Sequence, residues 1–154
     1  MKLVVGIALM VFGIPALAQS TGKAQVFRGT DVHDQLAQLV EQAKAKGSSG
    51  STLADYGTHA IKLSARTASG GAEIHAHYDD VMVVTEGSAT LITGGTVVDG
   101  QTGADGETHG AGIKDGVSQT ITVGDVVHVP AGVPHQLVIA PGTTYSSLVV
   151  KVRE

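Results

Sequence analysis

Apolar residues recur at helical spacing in one early stretch of the chain, residues 31–46. These apolar positions are Val32, Leu36, Leu39 and Val40. Thr30 or Asp31 can cap the start of a helix here, and Lys46 followed by Gly47 is a common stop signal. The pattern predicts one amphipathic helix that packs its apolar face on the rest of the domain.

From residue 58 the hydrophobic period changes from about 3.6 residues to two. One face of the first run carries His59, Ile61, Leu63 and Ala65, and the other carries Lys62, Ser64 and Arg66. We expect the apolar face to point inward, so that His59 could line the interior. Eight or nine such short runs, separated by Gly, Pro, Asp or Ser, are typical of an antiparallel sandwich or barrel. Residues 94–116 contain eight glycines and predict a long hairpin excursion with little regular structure.

The first twenty residues have the order of a secretory signal peptide. Lys2 precedes an apolar run from Leu3 to Ile14, and Ala16-Leu17-Ala18 forms a small-x-small cleavage pattern. We therefore expect cleavage after Ala18, export to the periplasm or the medium, and no membrane anchor afterwards. An irregular arm and the helix then occupy residues 19–57, with a loop over 48–57, and the β-rich domain occupies residues 58–154.

The amino-acid composition excludes several kinds of metal site, catalytic group and partner. The 154 residues include seven His and no Cys, with a formal net charge of −4 and 3% aromatic residues. The absence of Cys excludes disulfides, thiolate metal sites and thiol catalysis. A mildly acidic chain with no cluster of Lys and Arg argues against nucleic acid as a partner. Imidazole and carboxylate are left as the candidate metal ligands.

Two histidine patterns lie about fifty residues apart. In AEIHAH, strand alternation places Glu73, His75 and His77 on one face, and Cα atoms two apart on a strand are roughly 6.5 Å apart. Two such imidazoles can converge on one metal ion, and Asp80 follows three residues later. The second pattern, GDVVHVPAGVPH over residues 124–135, ends a strand at a proline, turns at a glycine and presents His135.

Together the two patterns resemble the two conserved motifs of the cupin superfamily, whose fold is an antiparallel jelly-roll β-barrel. GGAEIHAHYDDVMVVTEG is similar to the first motif, and GDVVHVPAGVPHQLVI is similar to the second except at its last position, where Ile139 replaces Asn. The resemblance covers roughly residues 58–153. It implies an all-β, cupin-like barrel preceded by one amphipathic helix.

The resemblance also implies a metal site. Carried over by position, its ligands are His75, His77, Asp80 and His135. Asp80 stands where the family has Glu and is only three residues after His77, so Asp79 is the alternative carboxylate. Such a nitrogen-rich set accepts one divalent transition metal, whether Mn, Fe, Co, Ni, Cu or Zn.

Other residues are candidates for the surroundings of this site. Glu73 shares the ligand face and could act as a general acid or base beside a metal. His59, Tyr78 and His128 are candidate pocket residues, although His59 and His128 could equally be structural. His33 and His109 are expected in solvent.

These features predict an exported metal-binding protein that binds or transforms a small organic molecule. The chemistry of an oxygenase, isomerase or lyase is permitted, and fold analogy cannot choose among them. Two alternatives stay open, namely a periplasmic binding protein without turnover and a metal-free structural barrel. The resemblance also implies a homodimer paired through sheet edges.

Overall fold

The computed structural model describes residues 22–154, so the signal peptide predicted for residues 1–18 lies outside the described residues. The helix α1 spans Gly29–Lys46. The strands are β1 (Ser48–Asp55), β2 (His59–Arg66), β3 (Ala72–Ile74), β4 (Tyr78–Thr93), β5 (Thr96–Val98), β6 (Gln101–Thr102), β7 (Thr108–Gly110), β8 (Gly112–Lys114), β9 (Val117–Thr122), β10 (Val126–Val129), β11 (His135–Val138) and β12 (Tyr145–Arg153). Within residues 22–154, no helix has the length and apolar character needed to cross a membrane.

The barrel consists of two antiparallel sheets that share the long strand β4. Its first half pairs with β12 and β10, and its second half pairs with β9 and β11. One sheet therefore has the order β1-β2-β12-β4-β10, and the other has the order β9-β4-β11-β3-β7-β6. Gly87, with a φ of 69°, lies in β4 between the two sets of partners. The predicted antiparallel barrel with one preceding helix is confirmed.

An apolar core fills one part of the space between the sheets. Its buried members are Met82, Val84, Ala89, Leu91, Ile121, Val129, Ile139, Tyr145 and Val149. Ile139, which replaces the Asn of the second motif, is one of these core residues and is 5% exposed. The departure from the motif thus contributes an apolar side chain to the core.

The helix α1 packs on the outside of the first sheet. Its apolar face contacts Leu63 and Ala65 of β2, and together they form a second buried cluster. The helix ends at Gly47, whose left-handed backbone (φ 83°) lets its N–H donate to the Ala43 carbonyl. It begins two residues earlier than the sequence pattern indicates.

The loop predicted for residues 48–57 is wrong, because Ser48–Asp55 form the edge strand β1. This strand pairs with β2 along its length, with an irregularity between Thr52 and Ala54. Its residues are mostly small and polar, so no alternation of apolar side chains marks it in the sequence. Backbone pairing with β2 and packing under α1 supply the order that the sequence pattern does not show.

The glycine-rich residues 94–116 are also more ordered than the sequence indicates. They contain four short strands, β5 to β8. β5 pairs with β8, and the hairpin β6–β7 is joined to the second sheet through β3. Strands of two or three residues are too short to show a period, which explains why composition alone favoured an irregular segment.

The inward face of β2 is the opposite of the expected one. Leu63 and Ala65 are covered by α1, whereas Lys62, Ser64 and Arg66 line the cavity inside the barrel. The alternation of apolar and polar residues shows which side chains of a strand share a face. It does not show whether that face packs against the helix or lines the barrel interior.

Candidate metal centre in the barrel

A cavity of about 280 Å³ lies between the two sheets. Two carboxylates and two imidazoles line it close together, namely Glu73, Asp80, His75 and His135. Glu73 belongs to β3, His75 directly follows that strand, Asp80 belongs to β4 and His135 opens β11. Three neighbouring strands of the barrel therefore supply the cluster.

The four side chains present one ligand atom each at close range. The His75 Nε2 atom lies 3.4 Å from Asp80 Oδ2 and 3.7 Å from Glu73 Oε2. The His135 Nε2 atom lies 3.9 Å from Asp80 Oδ2 and 4.0 Å from Glu73 Oε2. The two imidazole rings are tilted with their centroids 5.0 Å apart. Within residues 22–154, Glu73, His75 and His135 form a group whose ligand atoms all lie within 4.8 Å of one another.

The backbone of the second motif holds both histidines. The Gly132 N–H donates to the His75 carbonyl at 2.8 Å, and Gly132 has a positive φ of 76° that suits the turn after Pro130. The His135 Nδ1 lies 3.1 Å from the Val133 carbonyl, to which a protonated Nδ1 donates. This bond leaves the Nε2 lone pair of His135 directed at the cluster. The proline and glycine of the motif thus position ligands on two separate strands.

Glu107 contacts the far side of His75. One of its carboxylate oxygens accepts a hydrogen bond from Nδ1, while Nε2 of the same ring faces the cluster. A carboxylate in this position fixes the tautomer of a ligating histidine and makes its free nitrogen more basic. Glu107 lies between β6 and β7, in the glycine-rich segment that was expected to have little regular structure.

Lys151 completes the charge balance around Asp80. Its Nζ lies 2.8 Å from Asp80 Oδ1, so that Oδ2 is the oxygen facing the histidines. Burial alone would raise the pKa of Asp80, but the contacts with His75 and Lys151 hold it below its ordinary value. Asp80 is therefore a carboxylate at neutral pH.

The pKa values of the two histidines are shifted in opposite directions. Burial tends to lower the pKa of His75, but the contacts with Asp80 and Glu107 outweigh burial and raise the pKa. Burial lowers the pKa of His135, which is therefore neutral at pH 7. Protons therefore compete with a metal ion more strongly at His75 than at His135.

His77 lies away from this cluster. β3 ends at Ile74, so the alternation expected to place His77 beside His75 does not extend through the turn. The side chain of His77 is exposed, and its Nε2 lies near Gly106 of the segment between β6 and β7. Glu73 occupies the place at the cluster that the resemblance implies for His77.

Of the two candidate acids, Asp80 rather than Asp79 faces the cluster. Asp79 accepts a hydrogen bond from the Ala131 N–H at 2.8 Å and lies 3.1 Å from His128 Nε2. These contacts lower the pKa of Asp79, the Ala131 bond most. His128 is exposed on the outside of β10, so it does not line the cavity.

The remaining candidates lie at the edge of the site or outside it. Tyr78 is at the rim, with its ring centroid 5.9 Å from Lys151 Nζ. His59 stacks on Tyr56 at 4.8 Å rather than lining the main cavity. His109 is largely exposed, but its Nδ1 reaches within 3.9 Å of Glu73 Oε1. His33 is exposed on α1, as expected.

The donor set fits a divalent transition metal. Ligand atoms at about 2.1 Å from a tetrahedral ion are separated by about 3.4 Å, close to the spacings within this cluster. Two imidazole nitrogens and two carboxylate oxygens suit Mn, Fe, Co, Ni, Cu or Zn. His75, His135, Glu73 and Asp80 are the residues that would hold the ion.

Comparisons with known proteins establish the fold. No protein-family model and no curated protein matches the sequence. Among solved structures, a protein of Klebsiella pneumoniae with a double-stranded β-helix domain is 12% identical, covers 85% of this chain and 91% of its own, and has a TM-score of 0.58. The Cnp3 cupin domain of Schizosaccharomyces pombe is 8% identical, with 70% and 65% covered and a TM-score of 0.52. This is a cupin fold. The polyketide cyclase RemF of Streptomyces resistomycificus is 23% identical, with 71% and 67% covered and a TM-score of 0.50.

Sequence reasoning missed several residues of this cupin barrel. Glu107 carries no periodic signal because the strands beside it are two or three residues long. Lys62 and Arg66 were assigned to the face away from the interior. Lys151 lies on the same face of β12 as Ser147 and Val149, and that alternation was the only signal available for it.

Proposed function

We propose that this protein is a metal-binding cupin that binds and transforms a small organic molecule at a mononuclear site in its barrel. The observation that carries the proposal is that the Nε2 atoms of His75 and His135 each lie 3.4 to 4.0 Å from a carboxylate oxygen of Glu73 and of Asp80, in one cavity. Burial and neighbouring charges shift the pKa values of His75, Asp80 and His135, and titratable groups of this kind in a concave cavity are a typical arrangement for a functional site.

The residues of the site have different proposed roles. His75, His135, Glu73 and Asp80 would hold the metal, and a bound divalent ion would polarise an oxygen of the ligand. Glu107 and the Val133 carbonyl orient the two imidazoles. Glu73, the most exposed of the four at 35%, is the carboxylate that would be most accessible to a bound molecule as a general acid or base.

The proposal that the protein is an enzyme rests on one structural comparison. One solved structure of similar fold is, by its name, a polyketide cyclase, and this supports chemistry on a small organic molecule. The choice between oxygenase, isomerase and lyase chemistry is open because fold alone does not determine it. We also propose export to the periplasm or medium, on the order of residues 1–20 alone.

Metal content tests the proposal. Purified protein, reconstituted with Mn²⁺, Fe²⁺ or Zn²⁺ and then freed of excess metal, should carry close to one ion per chain. His75→Ala and His135→Ala should each abolish retention, because each removes one buried nitrogen ligand. His33→Ala, an exposed histidine on α1, is the matched control and should retain the ion. Wild-type protein that retains no ion of any kind would overturn the proposal.

A further inference from the structure

The barrel interior next to the metal cluster is lined by a polar strand face. Lys62, Ser64 and Arg66 of β2 line the same cavity as the cluster, while Leu63 and Ala65 of β2 are buried under α1. Lys62 and Arg66 are half-buried, and removing a charge from water costs free energy unless it is paired. The arrangement therefore needs an explanation beyond packing.

Neither of these two cations has an acidic partner. In the part of the chain that the structure describes, no carboxylate oxygen lies within 4.0 Å of the side-chain nitrogens of Lys62 or Arg66. The Nε of Arg66 is buried without a hydrogen-bond partner. Lys151 differs, because Asp80 already neutralises it. Lys62 and Arg66 are thus the unneutralised charges of the cavity.

Strand register places these cations progressively further from the metal cluster. Ala60 of β2 is level with Lys151, which in turn is level with Asp80. Lys62 is two residues further along β2 and Arg66 is six, or roughly 7 and 20 Å between Cα atoms at about 3.3 Å per residue. Arg66 therefore marks the end of the cavity far from the cluster, and Lys62 lies between Arg66 and the cluster.

A buried hydroxyl without a partner lies between Arg66 and the cluster. Ser147 is 1% exposed, lines the cavity and is level with Ser64 of β2. Its Oγ has no hydrogen-bond partner within the described residues. The Tyr145 hydroxyl, likewise without a hydrogen-bond partner, lies near enough to Ser147 for Ser147 to lower the pKa of its phenol.

We propose that the ligand of this cavity is a small organic molecule with an oxyanion group, a carboxylate or a phosphate, that Arg66 and Lys62 bind while its other end faces the metal cluster. The inference rests on the proposed function for the metal end only. The volume of about 280 Å³ equals that of about nine water molecules, which limits the ligand to a small molecule.

The guanidinium of Arg66 is held by its packing against Gly70. A Cβ added at Gly70 would lie 2.7 Å from Nη1 and 3.2 Å from Nη2 of Arg66. Glycine at this position therefore lets the planar group lie close to the backbone. A guanidinium matches the two oxygens of a carboxylate or phosphate better than an ammonium does, which assigns Arg66 the specific contact and Lys62 the supporting charge.

Calorimetric titration of the metal-loaded protein tests the proposal with three probes, namely glutarate, its uncharged diamide glutaramide, and inorganic phosphate. Glutarate, phosphate or both should bind, and the diamide should bind at least tenfold more weakly. Arg66→Met and Lys62→Met should each weaken binding of the anion by about tenfold to a hundredfold, the range for losing a charge-assisted contact. Which anion binds more tightly distinguishes a carboxylate ligand from a phosphorylated one.

Two further variants separate this effect from general damage. Lys114→Met removes an exposed lysine on β8 outside the cavity and should leave anion binding unchanged. Gly70→Ala keeps every charge and has no positive φ to strain, but its methyl group displaces the guanidinium. We expect it to weaken anion binding while the thermal midpoint stays near that of the wild type.

The proposal is overturned if neither anion binds, if the diamide binds as tightly, or if Arg66→Met binds the anion as well as the wild type. Metal content, measured on the same samples, keeps the two proposals apart. Arg66→Met should retain the ion. Loss of anion binding with the ion retained refutes only this inference, whereas wild-type protein that binds the anion but holds no ion refutes only the metal site.

Discussion

At the scale of single residues, Glu107 is the clearest test of how the site is supported. Its carboxylate accepts a hydrogen bond from His75 Nδ1 and so directs Nε2 at the cluster. We expect Glu107→Gln to weaken metal affinity about tenfold to a hundredfold, the usual effect of removing such a partner. Competition with a fluorescent chelator measures the affinity. Glu86→Gln, an exposed acid on β4, should leave it unchanged; an equal loss in both variants would contradict a specific role for Glu107.

Tyr145 provides a second test at this scale, remote from the metal. The side chain is fully buried, its hydroxyl has no hydrogen-bond partner in residues 22–154, and burial raises the pKa of its phenol. Because the phenol pKa is higher in the folded than in the unfolded state, the pKa shift contributes fully to stability below the ordinary tyrosine pKa of about 10. This contribution is lost as the pH rises beyond that value. The wild-type protein should therefore become less stable above about pH 10.

Tyr145→Phe removes both the unpartnered buried hydroxyl and the ionisable phenol. We expect the free energy of unfolding at pH 7 to rise by about 1 kcal/mol, because an unpartnered buried hydroxyl is costly. The loss of stability above about pH 10 should also become smaller. Urea unfolding followed at pH 7 and pH 10.5 measures both, with Tyr56→Phe as the control. A variant as sensitive to alkali as the wild type would show that Tyr145 is not the group responsible.

Some site residues could be predicted from sequence because short-range geometry fixes them. The Pro130 and Gly132 turn leads directly to His135, and the structure shows the same turn holding His75. The exchange of His77 for Glu73 could not be predicted, since it depends on β3 ending at Ile74, and a one-residue change in register or strand end reverses the facing of a side chain. Glu107 is 32 residues from His75 in the chain and meets it only in the folded protein.

At the scale of elements, the shared strand β4 depends on Gly87. This residue has a φ of 69°, and a Cβ there would overlap the Thr144 carbonyl oxygen. Gly94 has the same φ but no neighbouring atom within 4 Å of an added Cβ. Substituting alanine at each of these two positions therefore separates the cost of backbone strain from the cost of a close contact.

We expect Gly94→Ala to lower the free energy of unfolding by about 1 kcal/mol, the cost of a side chain in the left-handed region. Gly87→Ala should lower it by about 3 kcal/mol or more, because overlap with a backbone atom adds to that strain. Urea denaturation at one pH measures both values. Equal costs for the two variants would mean that the contact with Thr144 is not what requires glycine at position 87.

Elements with a strong period could be predicted, and those without one could not. The helix and the β2 strand show clear patterns, and both are present. β1 has mostly small polar residues and is ordered by pairing with β2, a contact that sequence periodicity does not report. The reversed orientation of β2 has a similar cause. Either of its two faces could pack against the helix or line the barrel interior, and only the folded structure shows which one does.

At the scale of the whole molecule, the barrel brings the candidate metal ligands together from three strands, so the proposed metal binding would be coupled to folding. His75 and Glu73 come from the β3 region, His135 from β11 and Asp80 from the strand that both sheets share. The unfolded chain cannot arrange these groups, so an ion that binds only the folded state stabilises it. At a hundredfold excess over its dissociation constant, the ion should add about 2.7 kcal/mol of stability.

The measurement that tests this account most directly is the metal-induced shift in thermal midpoint of the wild type, Glu73→Gln and His77→Ala. With Zn²⁺ at a fixed excess, the wild type should gain several degrees. We expect His77→Ala to gain as much, because His77 lies outside the cluster, whereas Glu73→Gln should lose most of the gain. A shift abolished by His77→Ala and retained by Glu73→Gln would contradict the ligand set that the structure assigns.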